Sequence, residues 1–183
     1  VSLTTINTAY TQNFEGLAST GTGTGTVTTT GTSGSKVASV ILSGSLSGWY
    51  FVETTTNADG VYTASTGSAT AGDTYSYGAS SSTERALGSI ASGNLLSRYG
   101  AQFTNNTGNT IDQLDISYVG EEWRFDPARG TTIKDQITFE YSTDATSLTT
   151  GTWTAVTALL YETTNLTGTA GLRNGNDAAY RTA

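Results

Sequence analysis

The sequence predicts an all-β chain folded as an antiparallel β-sandwich, and three observations predict it. Thr (38), Ser (20) and Gly (22) dominate the 183 residues, and all three are poor helix formers. Apolar and polar side chains alternate with a period of two in several runs. Clusters of Gly, Asn and Asp separate those runs at spacings of roughly 8–12 residues, the rhythm of a sandwich or barrel. The length suits one domain, residues 1–183, with its own core.

The elements follow in order. Residues 20–35 read TGTGTGTVTTTGTSGS. Such a tract buries little apolar surface, and its bland reading is a flexible linker. Thr22, Thr24, Thr26, Thr28 and Thr30 also share one face of a strand, where hydroxyls can ladder. The tract reads here as a strand or a docked loop, held against a neighbouring molecule. A strand over 49–53 follows, then the turn Asn57-Ala58-Asp59-Gly60 and a returning strand over 61–64. Tyr75 and Tyr77 alternate with Ser76. The best helical stretch, 87–96, is broken by Gly88 and Gly93. Strands over 99–104 and 111–119 flank an Asn/Gly turn, and Leu114, Ile116 and Tyr118 alternate with Asp115 and Ser117. The single Pro, Pro127, falls in a loop over 126–130, outside any strand. Ile133, Asp135, Ile137, Phe139 and Tyr141 share one face of a long strand, and 153–160 forms the last.

Composition excludes several activities. There is no His and no Cys, so Ser-His-Asp and Cys-His catalysis, ordinary structural zinc sites and disulfides are absent. Eight basic against fifteen acidic residues give a net charge of −7, which offers no footprint for nucleic acid or an anionic bilayer. No apolar run approaches the ~20 residues of a membrane span, so membrane insertion is not expected. No signal-peptide pattern opens the chain, and Val1 reads as a mature N-terminus or an internal start. The Thr/Ser/Gly-rich, Lys-poor, Tyr-rich composition suits a secreted prokaryotic surface protein, extracellular or at the cell surface.

Four groups of residues are candidates for chemistry or contact. Asp135 lies on an apolar strand face and needs a partner if buried. Arg124 or Arg85 is the expected partner in a structural ion pair, with Glu84 beside Arg85. Asn57, Asp59, Asp73 and Asp126 sit in or beside loops and offer oxygens to a structural calcium ion, the only cofactor considered. The same Asn-Ala-Asp-Gly turn forms without metal. Trp49, Tyr50, Tyr75 and Tyr77 could stack on sugars, although an aromatic on a strand is more often core. Leu3, Ile6, Val37 and Val40 are the side chains expected on a strand that adds to the next copy. Glu121 and Glu122, as sequence neighbours on a strand, point to opposite faces and cannot flank one glycosidic bond. The chain is therefore not expected to be an enzyme.

From Thr4 onward the sequence resembles a family of secreted bacterial β-sandwich modules found in multidomain extracellular proteins and in surface proteins with PEP-CTERM-type sorting tails. The likeness rests on Tyr10-Thr11-Gln12-Asn13-Phe14, Gly48-Trp49-Tyr50-Phe51, Gly72-Asp73-Thr74-Tyr75-Ser76-Tyr77-Gly78 and Ser82-Thr83-Glu84-Arg85-Ala86-Leu87-Gly88. It continues through Gly100-Ala101-Gln102-Phe103-Thr104-Asn105-Asn106-Thr107-Gly108, Tyr118-Val119-Gly120-Glu121-Glu122-Trp123-Arg124, Phe139-Glu140-Tyr141-Ser142-Thr143-Asp144 and Gly151-Thr152-Trp153-Thr154. The resemblance implies a jelly-roll-like sandwich and no catalytic residues. Against it, the Thr/Gly-rich stretch at about 20–47 reads as an insertion. The resemblance implies two further strands beyond 174–183, so the expectation is either that the sequence is cut there or that the sandwich lacks its terminal strands.

Two functions follow. The first is a non-catalytic extracellular structural protein, a surface, matrix or fibre subunit, whose partners are copies of itself joined by strand addition. The second is a glycan-binding or adhesive module of a larger secreted protein, with polysaccharide as partner.

Overall fold

The structure is a computed structural model and describes residues 1–129 and 132–182. Eighteen strands appear in chain order. They are β1 (Ser2–Leu3), β2 (Thr22–Gly23), β3 (Thr26–Thr30), β4 (Val37–Ile41), β5 (Trp49–Thr54), β6 (Tyr62–Ser65), β7 (Asp73–Tyr77), β8 (Ala86–Ile90) and β9 (Leu96–Ala101). Then follow β10 (Thr104–Asn105), β11 (Gly120–Glu121), β12 (Arg124–Phe125), β13 (Gln136–Ile137), β14 (Glu140–Tyr141), β15 (Thr154–Ala155), β16 (Tyr161–Glu162), β17 (Gly171–Leu172) and β18 (Arg181–Thr182). Three single-turn 3₁₀ segments interrupt them, and the chain is all-β as predicted.

Two four-stranded sheets carry the main core, in the orders β3-β4-β5-β9 and β2-β6-β7-β8. The first is antiparallel throughout. Its register places Val27 opposite Val40, Val40 opposite Phe51 and Phe51 opposite Tyr99, a continuous apolar row. The facing sheet contributes Tyr62 and Leu87, and the loops add Leu17, Leu42 and Leu46. Phe51 is fully buried.

The Thr tract is the edge of this sheet. β3 pairs along its whole length with β4, and all five of its residues are exposed. The linker reading fails, because Val27 gives the tract one apolar anchor and Thr needs little burial to prefer a ladder. Its partner belongs to the same chain, so no neighbouring molecule is needed.

The second sheet departs from a purely antiparallel plan. β6 and β7 pair in parallel, as do β1 and β10. To run alongside β6, the chain returns across the outer face of the sheet over residues 66–72. Ala69 there packs on Tyr75, Tyr77 and Trp123, the second buried cluster. The glycine-broken stretch 87–96 falls in β8, the turn after it and the first residue of β9.

Beyond residue 119 the chain forms one long interrupted hairpin. β11 pairs with β18, β12 with β17, β13 with β16 and β14 with β15, each antiparallel and nested inside the one before. The long strand expected over 133–141 is thus two short pieces, and 153–160 is a two-residue strand followed by a 3₁₀ turn. The register slips between the pieces, so alternation continues in sequence while the ladder does not. Residues 111–119, expected as a strand, form none. The last residue of the expected 126–130 loop lies outside the described residues.

Candidate functional site

The inner face of β5 positions the first cluster. Trp49, Phe51 and Glu53 alternate on that face, so the same periodicity that buries Phe51 buries Glu53. Its carboxylate is held by three donors. Thr74 Oγ1 donates to Oε1 (2.7 Å), and the N–H groups of Asp59 and Gly60 donate to Oε2 (3.0 and 2.8 Å). Thr74 Oγ1 also lies 2.7 Å from Ser97 Oγ. Asp59 accepts from the Val61 N–H, and Asp73 accepts from Thr63 Oγ1 and the Thr74 N–H.

Glu53, Asp59 and Asp73 each place a carboxylate oxygen within 4.8 Å of the others. Two of the four expected calcium ligands therefore converge, joined by Glu53, which sequence reading missed. Its signal was present in the alternation of β5. The other two lie elsewhere. Asn57 is exposed and donates its N–H to the Asn94 carbonyl (2.9 Å), and Asp126 caps its own loop by accepting from the Ala128 N–H (3.0 Å). Burial, reinforced by Glu53 and Asp59, raises the Asp73 pKa to about 6. Protein donors already engage Glu53, so the trio is first a brace for the 57–60 turn.

The buried ion pair expected from sequence exists, but between other residues. Arg173 Nη1 lies 2.5 Å from Glu122 Oε2, and both side chains are buried. The same guanidinium donates to the carbonyls of Asn165 and Thr167 (2.5 and 2.6 Å) and lies 4.0 Å from the centre of the Phe125 ring. Asp135 is exposed; its N–H donates to Thr163 Oγ1 (3.1 Å) and its carbonyl accepts from the Thr163 N–H (3.0 Å). Arg85 donates to Ser76 and to the Ala79 carbonyl, and Arg124 to the carbonyls of Gly67 and Ser68. Glu84 accepts from Asn176 Nδ2 (2.5 Å). The face of Asp135 is not core, because its strand is broken and its hairpin stands at the surface. No local signal marks Glu122 and Arg173 as partners across 51 residues of chain.

Tyr75 and Tyr77 are not a sugar platform. Both are buried, and the Tyr77 ring stacks on Trp123 at 6.1 Å between centroids. The outer face of their sheet is covered by 66–72 and 120–125, which sequence alternation cannot show. Glu121 accepts from Trp123 Nε1 (2.9 Å), on a different mission from Glu122. Tyr50 is half-buried on the outer face of β5.

Trp49 belongs to an aromatic ledge. Its Nε1 donates to the Tyr10 hydroxyl (2.9 Å), and its ring meets Phe14 edge-on at 4.7 Å. Tyr10 meets Phe103 edge-on at 5.6 Å. Tyr10 and Phe103 are 39% and 45% exposed. Neither Tyr10 nor Phe103 was among the expected stacking residues, because no local signal brings residues 10 and 103 together.

The four side chains expected on a donated strand are mostly in use. Val37 and Val40 lie in β4, between β3 and β5, and Val40 is buried. Leu3 pairs with Asn105. Ile6 alone is exposed. Val37 and Val40 thus pair on both sides within this chain and Leu3 on one, whereas Ile6 lies in a turn outside any strand.

No family model, curated protein or solved structure matches this chain.

Proposed function

We propose that this protein is a non-catalytic extracellular module that assembles with copies of itself, and that the contact is made by residues 110–119. One observation carries the reading. This stretch has the alternation of a strand, yet its backbone makes no hydrogen bond among the described residues. Leu114 and Ile116 are 58% and 45% exposed. Unpaired backbone beside an exposed apolar row is what a sheet edge offers a second chain.

A second copy is the occupant that the segment itself fits. Two antiparallel copies centred on Ile116 place Leu114 opposite Tyr118 and Asp115 opposite Ser117. Apolar side chains then share one face, and no two carboxylates stand opposite each other. A two-fold contact of this kind presents the same patch twice and closes as a dimer.

Sedimentation velocity over a range of concentrations tests the reading. The intact chain should associate, and Ile116→Lys should shift it to monomer without changing its thermal melting. A chain that stays monomeric at all concentrations overturns it.

A glycan-binding role is the second reading, and the aromatic ledge favours it. Tyr10 and Phe103 present exposed rings, and Gln12 Nε2 lies 3.3 Å from the Tyr10 hydroxyl. Aromatic faces with amides at their margins suit sugar rings. Retardation on polysaccharide gels, lost in Phe103→Ala, is the expected result for that reading.

A further inference from the structure

A polar cavity of about 270 Å³ opens where the β6–β7 end of the second sheet meets the loops over 19–21 and 79–81. Six hydroxyl side chains line it: Ser19, Thr20, Ser65, Thr66, Ser80 and Ser81. The one charged residue of the lining is Arg85, only 2% exposed.

Two cations are buried among the described residues, Arg85 and Arg173. Arg173 meets a buried carboxylate and Lys134 meets Glu162. Arg85 forms no salt bridge among the described residues. Its bonds are Nε to Ser76 Oγ (2.8 Å), Nη2 to the Ser76 carbonyl and Nη1 to the Ala79 carbonyl (3.4 Å). A guanidinium has five N–H groups, so two remain without an acceptor among the described residues. Glu84 exerts a charge on it, but the Glu84 carboxylate accepts from Asn176. Burial without a close counter-charge is costly for a cation.

The seat for the guanidinium is shaped by the backbone. A Cβ at position 78 would lie 2.5 Å from the Glu84 carbonyl oxygen and closer still to Arg85 Nη1, so only glycine leaves the room. Ser81, also in the lining, holds a left-handed backbone with φ of 58°, a conformation rare outside glycine.

We propose that this cavity binds a carboxylate carried by a small polyhydroxylated molecule, an acidic sugar of the uronate class, with Arg85 holding the carboxylate and the ring of hydroxyls holding the sugar's own. A planar guanidinium with unused donors matches a carboxylate. Serine and threonine hydroxyls both donate and accept, which matches sugar hydroxyls. The volume falls just below the usual range for drug-sized ligands, which suits one sugar unit. The site is separate from the 110–119 contact and from the aromatic ledge, and it stands or falls without them.

NMR titration of the whole chain with glucuronate tests this, read at the amides of Gly21, Thr66, Ala79 and Ser81. Glucuronate should move these signals along a saturating curve. Glucose, which lacks the carboxylate, and acetate, which lacks the hydroxyls, should bind about tenfold more weakly or worse. Arg85→Lys keeps the charge but loses the fork, and should weaken glucuronate by about tenfold. Thr20→Val, at an exposed rim position, should weaken it several-fold with unchanged melting, which keeps the test sound if the arginine variant misfolds. The proposal is overturned if glucuronate leaves these amides unmoved. It is overturned equally if acetate and sulfate move them as strongly, which would mark an adventitious ion only.

Discussion

Glu53 and Asp73 are acidic side chains 20 residues apart in the same sandwich, yet the fold treats them differently. Glu53 is fully buried and bound by three donors, two of them the backbone N–H groups that close the 57–60 turn. Glu53→Ala should cost about 3 kcal/mol in urea unfolding, because it leaves buried donors without an acceptor. Asp73 is half-buried, and its folded pKa is raised from 3.8 to about 6. A raised carboxylate pKa means that the folded state prefers the proton. The stabilisation is fully present below about 4 and is lost as the pH rises through about 6. Unfolding midpoints should therefore rise as the pH falls from 7 towards 4.5, by about 1 kcal/mol from this group after allowance for solvent screening. Asp73→Asn should flatten that rise. Arg173→Ala should destabilise by about 3–5 kcal/mol, since it leaves the Glu122 carboxylate buried without its cation. Replacing both partners by apolar residues of similar volume should recover most of that loss in the same urea measurement.

At the scale of elements, two strands show how far alternation reads true. In β5 it is reliable on the inner face, where Phe51 and Glu53 are both fully buried. In β7 it misleads, because both faces are covered. Thr74 and Ser76 face the main core, while Tyr75 and Tyr77 pack under Trp123. The Thr-rich β3 stands at the other extreme, paired along one edge and exposed throughout. Chemical denaturation should separate the two cases. Phe51→Ala should cost about 3–5 kcal/mol, whereas Thr28→Ala should stay within about 0.5 kcal/mol. The nested hairpin beyond residue 119 shows the limit of pattern reading. Residues 133–141 alternate well, yet only β13 and β14 keep a ladder, because the returning strand slips register between them.

For the whole molecule, the two halves differ in how completely they cover their apolar residues. Eight of the thirteen exposed large hydrophobics fall at or after Phe103, among them Leu114, Ile116, Ile133 and Leu172. Such a distribution favours association through the later half. Each copy carries a net charge of −7, so the copies repel at long range. The proposed self-association should strengthen as salt is raised from about 0.05 to 0.5 M, because the Debye length shrinks while the apolar contact is not screened. Sedimentation that weakens with salt would instead indicate a contact held by charge. The sequence by itself determined the all-β class, the turn at 57–60, the core strand around Phe51 and the exclusion of His- and Cys-based chemistry. Those properties are local, set by composition, by a period of two and by Gly, Asn and Asp. The tertiary structure decided that Glu122 and not Asp135 is the carboxylate of the buried Arg173 ion pair, that Tyr75 and Tyr77 are covered, that Glu53 joins Asp59 and Asp73, and that Arg85 lines a cavity. Each of these depends on which distant segments meet, and the energy of such a meeting is written in no single stretch of chain.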